Sequence, residues 1–335
     1  MLESLSKKIY SFSFKEESRR REQDFVRDRK LCFSTTVIFM LNLVKKTLSI
    51  EISNFVELAS NMKLTVDEFT TSAYVQARIK IKPLAFQSLL KHFVDDYYTD
   101  NDLGIKLWRG FRLLAVDGSL LNLPYSIKVA KKYGYARNQN GDTNVQCRIS
   151  VLYDVLNNMI VDANINPRRI MERDIAIKHL KQCKKNDLII FDRGYYSYDF
   201  IEAFNKLNFI IRLKSDLKAV KEFLKTNKMS KIVEFHSNEY VYKKKKQKVI
   251  KPPIKIRLIK VILPSGQIEV LATSLLNSKK YLTRDFKEMY FKRWKIETLY
   301  DELKNKLKIE HFTGYYETAI IQDFIHHYSL AIFNQ

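Results

Sequence analysis

A chain of 335 residues, 46% hydrophobic and 13% aromatic, has the material for a catalytic domain with accessory modules and is too apolar for wholesale disorder. Lys and Arg exceed Asp and Glu to a formal charge of +22, spread along the chain rather than gathered in a tail, which favours an extended polyanion, nucleic acid better than an anionic membrane. Cys32, Cys147 and Cys183 stand far apart, which argues against a disulfide framework or structural zinc; with no signal-peptide core or membrane-length apolar run, a cytoplasmic protein is expected.

Residues 1–105 read as a helical N-terminal region, with helices predicted over 35–48, 53–60, 66–80 and 84–97. Thr65 followed by Glu68 is a capping-box signature for the third. Pro83 separates the last two, as a helix breaker at a first turn. Ahead of Phe33 the chain is strongly basic, with Arg19, Arg20 and Arg21, then Arg27, Arg29 and Lys30. Such a run serves as a DNA contact or as a solvated helical face, and charge alone does not separate the two.

From about residue 106 the period changes to that of strands. An apolar run over 111–116 reads as a strand that stops at Asp117-Gly118. Strands over 146–155 and 159–164 flank Leu156-Asn157-Asn158, a hairpin turn. A helix follows over 169–183, then a short buried strand over 188–191 ending at Asp192-Arg193-Gly194-Tyr195, a helix over 198–207 and a strand over 209–213. Antiparallel strands first, then strands added through helical crossovers, is the order of a ribonuclease-H-like α/β core, with 106–214 as its first part.

Residues 215–280 read as a β-rich insertion before the last helix of that core. A helix near 217–224 precedes strands over 231–235, 240–244, 254–263 and 267–273, the last two joined at Pro264-Ser265-Gly266. Lys243, Lys244, Lys245 and Lys246, followed by Lys248 and Lys251, form the most basic patch of the chain. It is a solvated loop tip or a clamp on a phosphate backbone, and the chemistry described next favours the clamp.

In 281–335, Tyr290, Arg293, Glu297 and Lys304 fall within a sector of roughly 60° on one helix, at about 100° per residue. Met289, Ile296, Leu299, Leu303 and Leu307 form a separate apolar stripe for the core. Trp294 reads as core, and His326 and His327 as helix packing or surface.

One carboxylate among cations and a phenol suits a metal-bound phosphodiester. Two-metal phosphoryl transfer needs carboxylates converging on two divalent ions roughly 4 Å apart, and Mg²⁺ takes hard carboxylate oxygens together with substrate phosphate. Asp117 and Asp192, at strand ends, can meet at the sheet edge, and Glu297 supplies a third carboxylate from a helix packed across the sheet. Alone, an Asp-Gly reads as a turn and Glu297 as a surface carboxylate paired with a cation. Arg193 either steadies a scissile phosphate or pairs with a carboxylate. Chain order, fold and same-face quartet together single out the three acids.

These motifs resemble the DDE transposases of the insertion-sequence-four family. The matching residues are Val116-Asp117-Gly118-Ser119, Phe191-Asp192-Arg193-Gly194-Tyr195, and the Tyr-x2-Arg-x3-Glu-x6-Lys signature at Tyr290, Arg293, Glu297 and Lys304. Pro124, Leu152-Tyr153-Asp154, Glu172-Arg173, Leu271-Ala272-Thr273-Ser274, and Ser72-Ala73 with Ala77-Arg78-Ile79-Lys80 extend the similarity over most of residues 25–335.

The resemblance implies a metal-dependent enzyme that cuts and joins element ends, with Asp117, Asp192 and Glu297 holding two Mg²⁺ or Mn²⁺ ions. Tyr290, Arg293 and Lys304 map onto residues gripping DNA phosphates near the cleaved end. Its partners would be double-stranded DNA, as terminal inverted repeats and target, with a homodimer in the DNA complex of a bacterial, nucleoid-associated protein. Relatives that form hairpins stack a flipped base on a tryptophan of the insertion; here Trp108 and Trp294 lie elsewhere, leaving Tyr240 or Tyr242 as aromatic substitutes or as core residues. Family members continue into a C-terminal assembly region, so a truncated copy is expected. Two other classes stay open: an inert or repurposed terminal-repeat binder, and a structure-directed nuclease without joining activity. The quartet speaks against the nuclease, since plain hydrolysis needs no such grip on one strand end.

Overall fold

The computed structural model describes residues 2–333 apart from 28–29, 43–45, 64–65, 100–103, 138–140, 142, 238–239, 242–247 and 250. Its N-terminal region is helical: α1 (Leu2–Tyr10), α2 (Phe12–Ser18), α3 (Phe33–Asn42), α4 (Leu48–Asn61), α5 (Thr71–Ile79) and α6 (Leu84–Thr99). The first two were not among the expected helices. Leu5 and Ile9 bury one side of α1, and the Ser11 hydroxyl caps α2 by accepting from the Phe14 N–H. The expected capping box lies partly outside the described residues, at Thr65. Thr70 caps α5 instead, accepting from the Ala73 N–H at 3.2 Å, so the helix starts later than its periodicity suggested. Of the basic run, Arg19 pairs with Glu16 and Arg20 donates to the Thr318 hydroxyl.

Phe39 holds these helices together through edge-on contacts with Phe55, Phe69 and Tyr74. A polar tie then fixes them to the last helix, α13 (Glu317–Phe333). Arg78, 2% exposed, bonds Asp323 at 2.8 Å, the Gln322 side chain at 3.0 Å and the Thr313 hydroxyl at 2.6 Å. The Gln322 amide donates back to the Arg78 and Ile81 carbonyls at the end of α5.

A mixed sheet follows, of nine strands among the described residues. β1 (Arg112–Asn122) leads through α7 (Ile127–Tyr133) and the short β2 (Tyr135–Arg137), neither foreseen, to the hairpin of β3 (Thr143–Asp154) and β4 (Met159–Pro167). Then come α8 (Glu172–Lys178), β5 (Asp187–Phe191), α9 (Tyr198–Ala203), β6 (Asn208–Arg212) and α10 (Lys218–Leu224). In space β4 lies beside β3, then β1, β5 and β6; β1, β5 and β6 are parallel and β3 is antiparallel. Leu113 to Val116 and Leu188 to Ile190 are fully buried, which explains their unbroken apolar runs: central parallel strands are covered on both faces. At the base of this pair the Arg112 guanidinium grips Asp187 with two 2.8 Å bonds, fixing Arg112 opposite Asp187.

One expectation changes here. β1 does not stop at Asp117: antiparallel pairing with β3 carries it on to Asn122, while its parallel pairing with β5 is recorded only as far as Ala115 and Ile190. The longer strands of 215–280 lie in the main sheet. β7 (Ser230–Phe235), β10 (Ile254–Ile262) and β11 (Ile268–Thr273) extend it, with Leu271 opposite Arg212 on β6. Between them β8 (Tyr240–Val241) and β9 (Lys248–Val249) form a separate ladder; the tetralysine 243–246 and Tyr242 lie outside the described residues. No helix among the described residues is long and apolar enough to cross a membrane.

Candidate active site

Strand register brings the two aspartates together. β1 and β5 are parallel neighbours as far as Ala115 and Ile190, and Asp117 and Asp192 each lie two residues further along the chain, Asp192 just past the end of β5. Alternation sets their direction. Phe191 packs on Phe200 of α9 and on Phe204 just after it, so Asp192 turns to the other face. There lie α11 (Asp285–Phe291) and α12 (Trp294–Asp301), and the Tyr300 hydroxyl donates to the Asp117 carbonyl at 2.7 Å.

The quartet does not ride on one continuous helix. α11 ends in a tightened turn, with the Arg293 N–H on the Tyr290 carbonyl, before α12 begins. A π-helical turn over Glu302–Lys306 then carries Lys304; such turns occur frequently at functional sites. Met289, Ile296, Leu299 and Leu303 are buried and Leu307 half-buried, as the apolar stripe requires. Trp294 is not core: it is 51% exposed, with the Arg293 guanidinium 5.4 Å from its ring.

Each quartet member reaches the aspartates' strands or one another. The Arg293 guanidinium, buried among them, lies 2.5 Å from Glu297 and 3.5 Å from Asp117. The buried Tyr290 hydroxyl donates to Asp192 at 3.4 Å, and Lys304 donates to the Ser119 hydroxyl at 2.7 Å. Arg193, in the turn after Asp192, is exposed with no carboxylate partner among the described residues. Sequence reasoning missed Arg212, which ends β6 as Asp192 follows β5; it pairs with Asp192 at 3.0 Å and Glu269 at 2.8 Å. A charge closing an apolar run was its only signal.

Among the described residues no three His, Cys, Asp or Glu side chains converge at metal-holding distance. The three acids are instead neutralised by arginines, Asp117 and Glu297 through Arg293 and Asp192 through Arg212. Their oxygens are nonetheless the hard donors that Mg²⁺ or Mn²⁺ takes, and their charge is crowded. Burial pushes Asp117 up to about 6; the Gly118 N–H and Arg293 pull against it, and Glu172 and Glu297 add to it. A carboxylate held against burial and like charge gains from a divalent cation, so the residues fit such an ion.

That shift has a stability sign. Because the folded-state value lies above the ordinary 3.8, the folded protein holds this proton more firmly than the unfolded chain. Its contribution is full below about pH 4 and is lost as pH rises toward 6. Without divalent ions, Asp117→Asn is expected to raise stability by ~3 kcal/mol at pH 8 and by almost nothing at pH 4. Urea melts of both proteins at the two pH values check this; equal shifts at both would contradict it.

Residues 108–330, more than half of the chain, match the family described as the transposase DDE domain. Transposase InsG for insertion sequence element IS4 of Escherichia coli (strain K12) is 22% identical over 211 residues, 62% of this chain and 47% of that protein. Putative transposase InsZ of the same organism is 25% identical over 137 residues, 40% of this chain and 46% of that one. The chain thus spans about half the length of these curated relatives. Among solved structures, the piggyBac transposase synaptic complex with hairpin DNA aligns with a TM-score of 0.49 and 11% identity, over 98% of this chain and 74% of that one. On the family match, which covers both aspartates and the whole quartet, the chain belongs to the DDE transposase family.

Proposed function

We propose that this protein is a DNA transposase that cuts and joins element ends by two-metal phosphoryl transfer. The observation carrying the reading is that Arg293 touches both Asp117 and Glu297 while Tyr290, three residues before it, reaches Asp192, so one short segment contacts all three acids. The strand order β4–β3–β1–β5–β6 supports a ribonuclease-H-like core. In this reading 106–214 is its first part, 215–280 an insertion continuing its sheet, and 281–335 its last helices. Residues 1–105 then form the helical DNA-binding region.

Asp117, Asp192 and Glu297 hold the divalent ions, Mg²⁺ or Mn²⁺. When bound, such ions activate water or a 3′-hydroxyl and stabilise the leaving oxygen. The chain's own groups position the DNA. Arg293 and Arg212 neutralise the acids in the free protein, and where divalent ions would carry that charge instead, the Arg293 guanidinium would be available to the phosphate of the cleaved end. Tyr290 orients Asp192, and Lys304 and Arg193 meet the backbone on either side. The net charge of +22 and the tetralysine 243–246 favour double-stranded DNA, both terminal repeats and target, held by two copies of the chain.

Purified protein is incubated with the DNA flanking its own gene and Mg²⁺ or Mn²⁺. Metal-dependent cuts at a pair of repeated ends are expected; salt-sensitive binding without cuts leaves only an end-binding protein and overturns the enzyme. In the same assay Lys304→Ala is expected to weaken end binding about tenfold and reduce the slope of log affinity against log salt by about 1. An unchanged slope removes Lys304 from the phosphate contacts.

A further inference from the structure

Behind Asp117, on the opposite face of the sheet, lies a fourth carboxylate. Gly118 pairs with Ser150, and Leu120 with Arg148 on β3, so Gly118 and Arg148 share the face on which α8 packs. A Cβ built on Gly118 would stand 3.1 Å from Glu172 Cγ, 3.4 Å from Glu172 Cδ and 3.3 Å from the Ile149 carbonyl oxygen. The Glu172 side chain therefore occupies space that a glycine leaves open. An ion pair with Arg148 holds its carboxylate there, 43% exposed.

A second observation comes from Tyr195, three residues after Asp192. It is 2% exposed, and its hydroxyl is buried without a hydrogen-bond partner. Burial raises its phenol far above the ordinary value, and the charges of Asp117, Glu172 and Asp192 add to that. An orphan donor thus sits among carboxylates that reach the strand ends from both faces. Structural packing leaves the orphan hydroxyl unexplained.

We propose that Glu172 is a positioning residue for the metal centre: set by Arg148 and admitted by Gly118, it walls the rear of Asp117 and adds the negative charge that favours a divalent cation there. The Tyr195 hydroxyl is the donor available to whichever of these oxygens turns toward it. This rests on the metal-dependent reading above.

The test is Mn²⁺ titration calorimetry on the full chain without DNA, for the wild type, Glu172→Gln, Gly118→Ala and the double variant. Each single change is expected to weaken Mn²⁺ about tenfold, the usual effect of groups that orient metal ligands. The double variant should be little weaker, because both changes disturb one contact. In DNA cleavage Glu172→Gln should need more Mn²⁺ for half-maximal rate yet reach a near-normal kcat, a split that general destabilisation does not give. Equal Mn²⁺ affinity in wild type and Glu172→Gln, or a double variant weakened by the product of the single effects, overturns the proposal and leaves the metal reading standing. No Mn²⁺ binding by the wild type overturns both. Should Glu172→Gln fold poorly, Gly118→Ala decides alone, and unchanged affinity there overturns the proposal.

Discussion

Asp192→Asn is expected to lower metal-dependent DNA cleavage by about 10³-fold or more while leaving the melting temperature within a few degrees of wild type. The substitution keeps the side chain's shape and an oxygen for Arg212 and Tyr290, both of which reach Asp192 in the folded protein. It removes the negative charge that would hold a divalent ion. Glu297→Gln should behave in the same way, since in the proposed reading the two acids serve one centre from a strand end and a helix. Asp301→Asn is the control. Asp301 is exposed on the same helix as Glu297, with Asn305 as its side-chain partner, and should cleave at the wild-type rate. Quenched-flow or gel assays on one labelled end substrate give all the rates. Near-normal cleavage by Asp192→Asn would remove that residue from the chemistry.

The second large effect concerns stability. Arg78→Ala should cost ~3–5 kcal/mol, because it leaves the buried Asp323 carboxylate without its cation. Asp323 retains the Thr313 N–H at 2.8 Å, which keeps the loss at the lower end of that range. The change should lower the melting temperature by roughly 5–10 °C. Since Arg78 and the Gln322 amide join α5 to α13 across more than 240 positions of sequence, the loosened part is the docking of the N-terminal helices. Replacing both charges, as Arg78→Met with Asp323→Leu, should recover much of the loss, because the expensive state is the unpaired charge rather than the missing pair. Thermal melts of the three variants test this. An Arg78→Ala protein as stable as wild type would mean the buried pair contributes nothing.

The apolar runs leading to Asp117 and Asp192 were legible because central parallel strands are covered on both faces, although only Asp192 stands at a strand's end. The extra length of β1 was not, since it depends on its partner on one side outlasting its partner on the other. Alternation and the Pro264-Ser265-Gly266 turn identified the strands after residue 230 and joined the last two, but named no partner for them in the rest of the sheet. Their joining to β6, and with it the Arg212 to Asp192 contact, is long-range information. Helical period likewise could not register the tightened turn at Lys292 and Arg293, which keeps helical dihedral angles while changing the bonding. Trp294 lay near the boundary between the two faces of its helix, where angle alone does not decide burial. Glu172 approaches Asp117 through the sheet, a relation that no sequence spacing expresses.

The most direct test of the shared metal centre uses the polypeptide itself. Fe²⁺ replaces Mg²⁺ in the purified protein, ascorbate and peroxide generate hydroxyl radicals at the bound iron, and the backbone cuts are mapped. Cuts next to residues 117, 192 and 297, suppressed by excess Mg²⁺ and absent in Asp192→Asn, are the expected result. Cuts elsewhere, or a pattern that Asp192→Asn leaves unchanged, would contradict a metal centre built from these three carboxylates.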